Sequence, residues 1–554
     1  MKNLFSRSFK FLISLILIFL VYYFNLPAIN LRSKEFWVFL IQAIVILIVV
    51  NAFTVALQIL RNALGLLNKN REIQEPIDFK SLGKPVLYSI IAIAGIAILL
   101  MVGSLIGHPF FHAKAYKNLL QVTDGDFSKD VAQLTMDNIP VVDKDTASRL
   151  GKRKLGEMSD LVSQFEISNN YTQINYKEVP YRVTYLEYGD AIKWFNNQRD
   201  GLPGYLTVNM VTQQTNLVRF KDGQGMKYSP SEYFFRDIYR YLRFKYPTKM
   251  FDFSEVSFEI DDNGTPYWIA PVIGYKIALW SGRDITGAVL VNAQTGETAY
   301  YSLENIPTWV DQVFISDLII EQLEYYGAYQ SGFINSIFGQ KGVKVPTDGY
   351  NYLAIDDDVY LYTGLTSVTS DSSNVGFVLV NLRTKEAHYY AVPGAEEYSA
   401  MESAEGQVQN LKYTATFPIL LNISDRPTYF LSLKDNAGLV KMYAFVDVEQ
   451  YQVVGTGASV KAAMANYSTA LGLDDDKTSE LIGNKTKEGV IDEIYSVVVD
   501  GNTYYYFKLK DDTQVYTASI KLSEKLPFLK TGDTVTITYA DIENQKTREI
   551  TQFQ

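Results

Sequence analysis

Three uncharged, apolar stretches within the first 107 residues constrain this chain more than any other feature. They cover residues 11–31, 36–60 and 85–107. About 20 apolar residues in a helix cross the hydrocarbon core of a bilayer, so each stretch is long enough to span a membrane. The first stretch follows a basic start, as in a secretory signal, but no small-residue cleavage site comes after it. The sequence therefore predicts three N-terminal transmembrane helices.

Lysine and arginine in the short connections predict the orientation of these helices. Three basic residues precede the first stretch, five lie within residues 61–84, and only Arg32 and Lys34 lie between the first and second stretches. Connections rich in basic residues stay in the cytoplasm. We therefore predict a multi-pass protein of the cell membrane, with its N-terminus inside. Residues 108–554, here called the polar region, are then extracellular.

The composition of the polar region excludes two classes of site. Residues 1–107 carry a net charge of +6 and the polar region −16, which together give the −10 of the whole chain. An acidic surface disfavours nucleic acid, whose phosphates need a basic footprint, so we expect no nucleic-acid partner. The chain has no cysteine, which excludes disulfides and thiolate metal sites. An exported region of this size without disulfides is typical of Gram-positive bacteria.

Four segments of the polar region align without gaps, at residues 208–215, 291–298, 380–387 and 446–453. Each begins with Val followed by Asn or Asp, comes after a short aromatic or β-branched run, and carries the turn residues of a β-hairpin. A helical stretch and two further strands precede each hairpin. In the second copy, Ser229 to Glu232 resembles a capping box and predicts the start of that helix. The pattern predicts four tandem α+β modules, each with a helix on an antiparallel sheet.

These patterns divide the chain into six parts. The three-helix transmembrane region covers residues 1–107, and the four modules cover 108–225, 226–304, 305–393 and 394–458. Residues 459–554 hold a linker helix and about five short strands, which predict a small β-barrel of OB or SH3-like type. Nine basic and eleven acidic residues within 485–554 form no basic stripe, so we expect a capping or docking barrel.

The second hairpin, with Val291, Asn292, Thr295, Gly296 and Glu297, resembles the final hairpin of the PepSY domain. The other three copies depart from that ending after the Asn or Asp. The resemblance covers residues 145–456 and implies helix-on-sheet modules in a bacterial envelope protein, with a link to restraint of peptidases and no catalytic residues to transfer. The whole chain is similar to multi-pass, PepSY-bearing exported proteins of low-GC Gram-positive bacteria.

Motifs for catalysis are absent from the sequence. It holds no Walker loop, GxSxG elbow or HExxH pattern, and its three histidines are His108, His112 and His388. Acidic clusters are the remaining metal candidates, because Ca²⁺ binds converging carboxylate oxygens. Of these, Asp356, Asp357 and Asp358 are the predicted metal-binding residues, while Asp124 with Asp126 and Asp474 to Asp476 are interpreted as solvated turns. We predict no catalytic residue and no cofactor.

These observations favour a non-enzymatic, membrane-anchored protein of the cell envelope. Its tandem modules are predicted to bind, scaffold or restrain a partner protein, because repeated modules usually build binding surface. One alternative is a regulator or inhibitor of an extracellular or membrane peptidase. Another is a cell-wall glycan-binding protein or enzyme, since 40 tyrosines offer aromatic surface. The predicted partners are the lipid bilayer, an envelope protein and, from the GxxxG pattern of Gly103 and Gly107, a second copy of the chain.

Overall fold

The structure, a computed structural model, describes residues 2–67, 79–133, 139–368, 373–473, 477–478, 481, 484–499, 502–540 and 547–553. Apolar helices α1 (Lys2–Asn25), α2 (Lys34–Leu67) and α3 (Phe79–Ile106) come first. Within the described residues, Lys34–Phe53 and Val86–Ile106 are long and apolar enough to cross a membrane, and only 6% of each is buried in the protein. Helix α1 holds a shorter apolar segment, Phe9–Asn25. These side chains therefore do not form the core of a soluble domain.

The polar region mixes helices with many sheets, which confirms the predicted α+β class. Its helices are α4 (Pro109–Lys117), α5 (Phe127–Asp130), α6 (Lys144–Gly156), α7 (Ala191–Asn197), α8 (Ile238–Lys245), α9 (Ser316–Ala328), α10 (Glu397–Gln407) and α11 (Val460–Leu471). The first strand of the polar region is β1 (Val122–Asp124). The first two sheets consist of β2 (Phe165–Ile167), β3 (Thr172–Tyr176), β4 (Val179–Tyr188), β5 (Gly204–Asn209), β6 (Thr215–Arg219), β7 (Ser257–Ile260), β8 (Pro266–Ile277), β9 (Ser281–Asn292) and β10 (Thr298–Ser302).

The remaining strands form two further sheets and a barrel. The sheet strands are β11 (Lys344–Pro346), β12 (Asn351–Ile355), β13 (Asp358–Ser367), β14 (Ser373–Asn381), β15 (Ala387–Tyr390), β16 (Gly394–Ala395), β17 (Thr414–Ala415), β18 (Ile419–Ile423), β19 (Arg426–Lys434), β20 (Val440–Asp447) and β21 (Val454–Gly457). The barrel strands are β22 (Asn484–Val499), β23 (Asn502–Leu509), β24 (Val515–Ser519), β25 (Thr534–Ala540) and β26 (Thr547–Phe553).

Four sheets follow one another along the chain, each built around two long antiparallel strands. Their orders are β2-β4-β5-β6 with β3 on β4, β10-β9-β8-β7, β1-β15-β14-β13-β11 with β12 and β16 at the side, and β17-β19-β20-β21 with β18 on β19. The last five strands close in the order β22-β23-β24-β26-β25. Strand β1 pairs in parallel with β15 of the third sheet. The division by sequence placed this strand with the first module, because such a distant pairing leaves no local signal.

The four hairpins that align in sequence also share a set of backbone hydrogen bonds. In each hairpin, the residue that follows the aligned Asn or Asp donates its N–H to a carbonyl at the start of the neighbouring long strand. These residues are Met210, Ala293, Leu382 and Val448. The carbonyl of each accepts an N–H from the segment that precedes the helix of the same module. The second type of bond joins Val141 to Met210, Tyr228 to Ala293, Phe314 to Leu382 and Ala395 to Val448, at 2.8–3.0 Å. The segments preceding the helices are therefore tied to the hairpins in the same way four times.

The helix of the second module begins later than its capping-box pattern predicts. Helix α8 starts at Ile238, and the Asp237 side chain accepts the N–H of Arg240 as its N-cap. Glu232 is instead buried, where its carboxylate accepts hydrogen bonds from the Tyr188 hydroxyl (2.9 Å) and the Trp194 indole (2.8 Å). The predicted start is wrong because these two donors from the first module take the acceptor that a capping box needs.

The modules share apolar cores. Tyr185 of the first sheet packs against Phe258 and Trp268 of the second, with ring centroids 5.6 and 4.8 Å apart. One buried cluster joins residues of all four sheets, and another joins the second and third. The barrel has a separate cluster around Phe507 and Tyr516. The four sheets are therefore one packed body, because separating them would expose apolar side chains to water.

The second module is bound tightly to the connection between α1 and α2. Arg243 is fully buried and donates from Nε to the Leu26 carbonyl (2.8 Å) and from Nη1 to the Lys249 carbonyl. The N–H of Ile29 donates to the Pro247 carbonyl at 2.7 Å. A buried guanidinium needs such acceptors to offset the cost of leaving water. The connection between the apolar helices is therefore part of the folded polar region.

The turn between β8 and β9 packs against the end of α3. The Trp280 indole donates to the Leu31 carbonyl at 3.3 Å, and its ring lies against Gly103. Ser281 lies equally close to Gly107. Side chains on these two glycines would overlap Trp280 and Ser281, so the GxxxG pattern is used for a contact within the chain. Its interpretation as a dimer contact stays a prediction.

Candidate functional site

The three predicted metal-binding residues lie in and after the turn that joins β12 to β13. Asp356 and Asp357 are exposed turn residues, and Asp356 adopts a left-handed conformation with φ of 53°. Both oxygens of Asp358 accept hydrogen bonds from Arg383, at 2.6 and 2.7 Å, and one also accepts from Asn381 at 2.8 Å. The carboxylate of Asp358 is thus engaged in a bidentate ion pair. As a metal site the trio stays a prediction.

Other candidates from the sequence are also engaged locally. His108 caps α4 by accepting the N–H of Phe110 at 3.2 Å, and His388 contacts Glu386 and Thr123, each at 3.1 Å. Asp126 accepts a hydrogen bond from Ser128 and pairs with Lys129. Throughout the described ranges, no three histidine, aspartate or glutamate side chains are grouped so that they could hold a metal ion. The cluster at residues 474–476 lies outside the described residues.

A groove lies beside α9, at the contact between that helix and the loop after β11. Its volume is about 460 Å³, and it continues at Asp317 and Tyr350 into a smaller cavity of about 150 Å³ between the second and third modules. We call the larger cavity the acidic groove. It is lined by Asp317, Ile320, Glu321, Glu324, Pro346, Thr347, Asp348, Gly349 and Tyr350. A volume in this range holds a small molecule or a few side chains of a partner.

Carboxylates dominate the electrostatics of the acidic groove. Asp317, Glu321 and Glu324 line one wall from α9, and Asp348 lies on the other. No lysine, arginine or histidine lines either cavity as far as the structure describes the chain. Partial burial and the neighbouring charge of Glu321 raise the pKa of Glu324 above its ordinary value. Arg283 lies 3.5 Å from Glu321 and offsets part of its charge, but Asp317, Glu324 and Asp348 add further negative charge that a bound cation would neutralise.

The loop that forms the second wall is fixed on both sides. The N–H of Thr347 donates to the Gly364 carbonyl at 2.9 Å, and the Thr363 hydroxyl donates to the Gly349 carbonyl at 2.9 Å. Gly349 has φ of 118° and lies against the Phe417 ring, a conformation and a contact that no side chain would permit. The wall is therefore preformed, and a ligand meets a surface that needs little ordering.

Buried carboxylates join the modules around the smaller cavity. Glu259, from the second sheet, accepts the N–H groups of Asp311 (2.9 Å) and Gln312 (3.1 Å) and the Ser257 hydroxyl (3.2 Å). Asp311 in turn accepts the N–H of Asn175, on the edge of the first sheet, at 2.8 Å. Side chains thus occupy the hydrogen-bonding edge of β3, which would otherwise be free to pair with another strand.

Burial favours the protonated, uncharged forms of Glu259 and Asp311. Burial raises the pKa of Glu259 to about 7. Burial and the charge of Glu259 raise the pKa of Asp311. Oδ1 of Asp311 is buried and has no hydrogen-bond partner among the described residues, whereas Glu259 accepts three hydrogen bonds. Of the two carboxyl groups, that of Asp311 is therefore held more firmly in the protonated form, because hydrogen bonds favour the ionised form of Glu259.

Sequence reasoning missed the acidic groove, although α9 carried a signal. Asp317, Glu321 and Glu324 are spaced so that they lie on one face of a helix, and α9 contains no basic residue. A solvated helix usually mixes both signs on its outer face. Asp348 gave no signal, because it comes next to that face only through the long-range pairing of β11 with β13.

Comparisons with known proteins add no information about function to these structural observations. No protein-family model matches the sequence, and no curated protein matches it. Among solved structures, a levansucrase mutant of B. megaterium aligns with 78% of this chain and 98% of its own, at 8% identity and a TM-score of 0.17. A TM-score this low carries no argument about fold or function.

Proposed function

We propose that this protein is a membrane-anchored scaffold of a Gram-positive cell envelope, and that its acidic groove binds a basic segment of a partner protein. The observation that carries the proposal is the preformed groove, with four carboxylates and no basic residue in its described lining. Charge complementarity speeds encounter and selects partners. The same field disfavours an anionic wall polymer as the occupant.

The anchor in this proposal consists of three spans, α1 to α3, with the polar region extracellular. Retention of α1 is supported by its attachment to the second module, since Arg243 binds Leu26 at the end of that helix. A cleaved signal sequence would remove the acceptor of the buried Nε of this guanidinium. Four PepSY-like modules and an OB-like barrel then form a rigid extracellular body, supported by the hairpin bonds that recur in each sheet.

The proposal is tested by photo-crosslinking in cells. A photoreactive amino acid replaces Ile320, a partly buried residue of the groove. We expect one reproducible adduct, formed through a segment of the partner that is rich in lysine or arginine. The same amino acid at Leu439, which is 50% exposed in a turn of the fourth module, serves as the control. Equal adducts at both positions would contradict a specific groove.

A charge-neutral variant tests the chemistry of binding. Replacing Asp317→Asn, Glu324→Gln and Asp348→Asn together removes three exposed carboxylates of the groove. Exposed charges contribute about 0.5–1 kcal/mol each, so affinity for the partner should fall roughly 10- to 100-fold. The matched control neutralises three exposed acids elsewhere, Asp222→Asn, Glu304→Gln and Glu402→Gln. Equal losses in both variants would show that only net charge matters.

A further inference from the structure

Two segments of the polar region expose large apolar side chains beside the apolar helices. One combines α7 with the adjoining 3-10 turn Phe234–Arg236, and the other is the turn Asn335–Gly339 after α9. We call them the two apolar segments. Their side chains that are half or more exposed are Ile192, Phe195, Phe234, Phe235, Ile337 and Phe338. Clustered exposure of this kind marks an interaction surface, unlike single exposed residues.

The first apolar segment lies beside the end of α1. The Phe235 ring is 5.9 Å from Tyr23 and 5.3 Å from Phe244, and Phe244 is 6.5 Å from Phe19. Phe19 precedes Asn25, the last residue of α1, by six positions, or about 9 Å at the rise of an α-helix. Parts of the second module therefore reach down alongside the last two turns of an apolar helix.

The second apolar segment lies beside the end of α3. The Phe333 ring, two residues before the segment, is 5.7 Å from His108 and 5.6 Å from Phe110. Helix α3 ends at Ile106, immediately before these residues. Phe110 itself is 53% exposed. Phe110 and Phe333 thus extend the apolar surface of α3 towards this segment, with the His108 ring beside them.

Both segments flank the same end of the apolar helices, because Trp280 contacts the α1–α2 connection and the end of α3 at once. Cationic side chains accompany them: the Arg240 guanidinium lies 4.8 Å from the centre of the Tyr23 ring, and Lys114 and Lys117 lie in the last turn of α4. Aromatic and basic residues together are typical of the headgroup level of a bilayer.

We propose that the two apolar segments insert into the lipid leaflet around the helices, so that the polar region lies on the membrane surface. The inference rests on the membrane anchorage proposed above. A lipid surface is the occupant because the exposed rings continue the apolar surface of α1 and α3, which lipid covers. Apolar side chains in such segments reach the boundary between headgroups and acyl chains.

The test uses the absence of cysteine from the chain. The full protein is reconstituted in nanodiscs of phosphatidylcholine and phosphatidylglycerol, with single cysteines at Phe195→Cys or Phe338→Cys carrying a fluorophore. Lipids with a nitroxide near the headgroup then act as quenchers. Both labels should lose roughly half of their emission. A label at Leu439→Cys, an apolar position in the fourth module that is 50% exposed, should keep its emission.

A label at Ile98→Cys, which is 56% exposed on α3, separates this proposal from anchorage itself. If a nitroxide deep in the acyl chains quenches Ile98 while the labels at 195 and 338 behave as the Leu439 control does, lipid insertion is wrong and anchorage stands. If Ile98 is not quenched, both fail. Labels at 195 and 338 that are shielded from lipid and from aqueous iodide alike would identify a protein contact and overturn the proposal.

Discussion

Replacing Asp311 by Asn should weaken the pH dependence of the stability of this protein. Asp311 and Glu259 lie together in the core between three modules, and burial favours the uncharged form of the pair. The folded pair therefore holds a proton that the unfolded chain releases at lower pH. Stability that depends on this proton is fully present below the unfolded pKa of about 4.5 and is lost as pH rises through the folded value near 7.

The part of the pH dependence that Glu259 contributes follows from its pKa, which burial raises from 4.5 to about 7. Each tenfold change in an acid constant corresponds to about 1.4 kcal/mol, so on the order of 3 kcal/mol is lost between pH 4.5 and pH 8. Asn is uncharged at every pH, and its oxygen can accept the N–H of Asn175 as Asp311 does. The loss that comes from Glu259 itself remains in the variant, because burial and not Asp311 raises its pKa, so at pH 8 Asp311→Asn should be more stable than the native protein but less stable than it is at pH 5.

Thermal unfolding of the full chain in detergent, followed by tryptophan emission from pH 5 to pH 8, measures this difference. For a packed body larger than 250 residues, about 3 kcal/mol corresponds to roughly 3–5 °C in Tm, so between pH 5 and pH 8 the Tm of Asp311→Asn should fall by about this much and that of the native protein by more. Asp311→Ala, which cannot accept the Asn175 N–H, should lower Tm at every pH. Asp356→Asn, in the exposed turn nearby, should keep the native profile. Parallel profiles of the native protein and Asp311→Asn would refute a buried proton on Asp311.

Two further predictions use matched positions. Gly103→Ala places a methyl group against the Trp280 ring and should lower Tm by several degrees. The control, Gly95→Ala, adds a methyl group that meets no atom within 4 Å and should leave Tm unchanged or slightly raised. Equal effects of the two variants would contradict the packing of the β8–β9 turn on α3. In the barrel, burial would raise the pKa of Asp512, but hydrogen bonds from Lys487 and Tyr516 outweigh it and lower the pKa to about 2. The ionised Asp512 side chain therefore stabilises the folded barrel above pH 4, and this stabilisation is lost as pH falls towards 2. Asp512→Asn should lower the free energy of unfolding by about 1 kcal/mol at pH 7, measured by chemical denaturation, and should remove this acid sensitivity. A similar loss of stability in Asp511→Asn, at the exposed neighbouring position, would contradict this role of Asp512.

Features that depend on neighbouring residues were accessible from the sequence. The apolar helices follow from composition alone, and the four hairpins follow from local turn chemistry, since Asn209, Asn292 and Asn381 each accept N–H groups two and three positions ahead. The pairing of β1 with β15 and the burial of Glu232 depend on distant parts of the chain. No local pattern encodes such contacts, because tertiary packing decides them.

The position of the acidic groove relative to the apolar helices limits what can reach it. Tyr325, near the end of α9, packs on Tyr116 with ring centroids 4.7 Å apart, and Tyr116 donates its hydroxyl hydrogen to the Gly107 carbonyl just after α3. Asp317 lies eight residues earlier on the same rigid helix, or about 12 Å away. If α3 spans the membrane and the two apolar segments lie in lipid, the groove opens close to the headgroups. A basic segment that fills it must then run near the membrane surface, which favours a partner that is itself anchored there over a freely diffusing one, because anchorage raises its effective concentration.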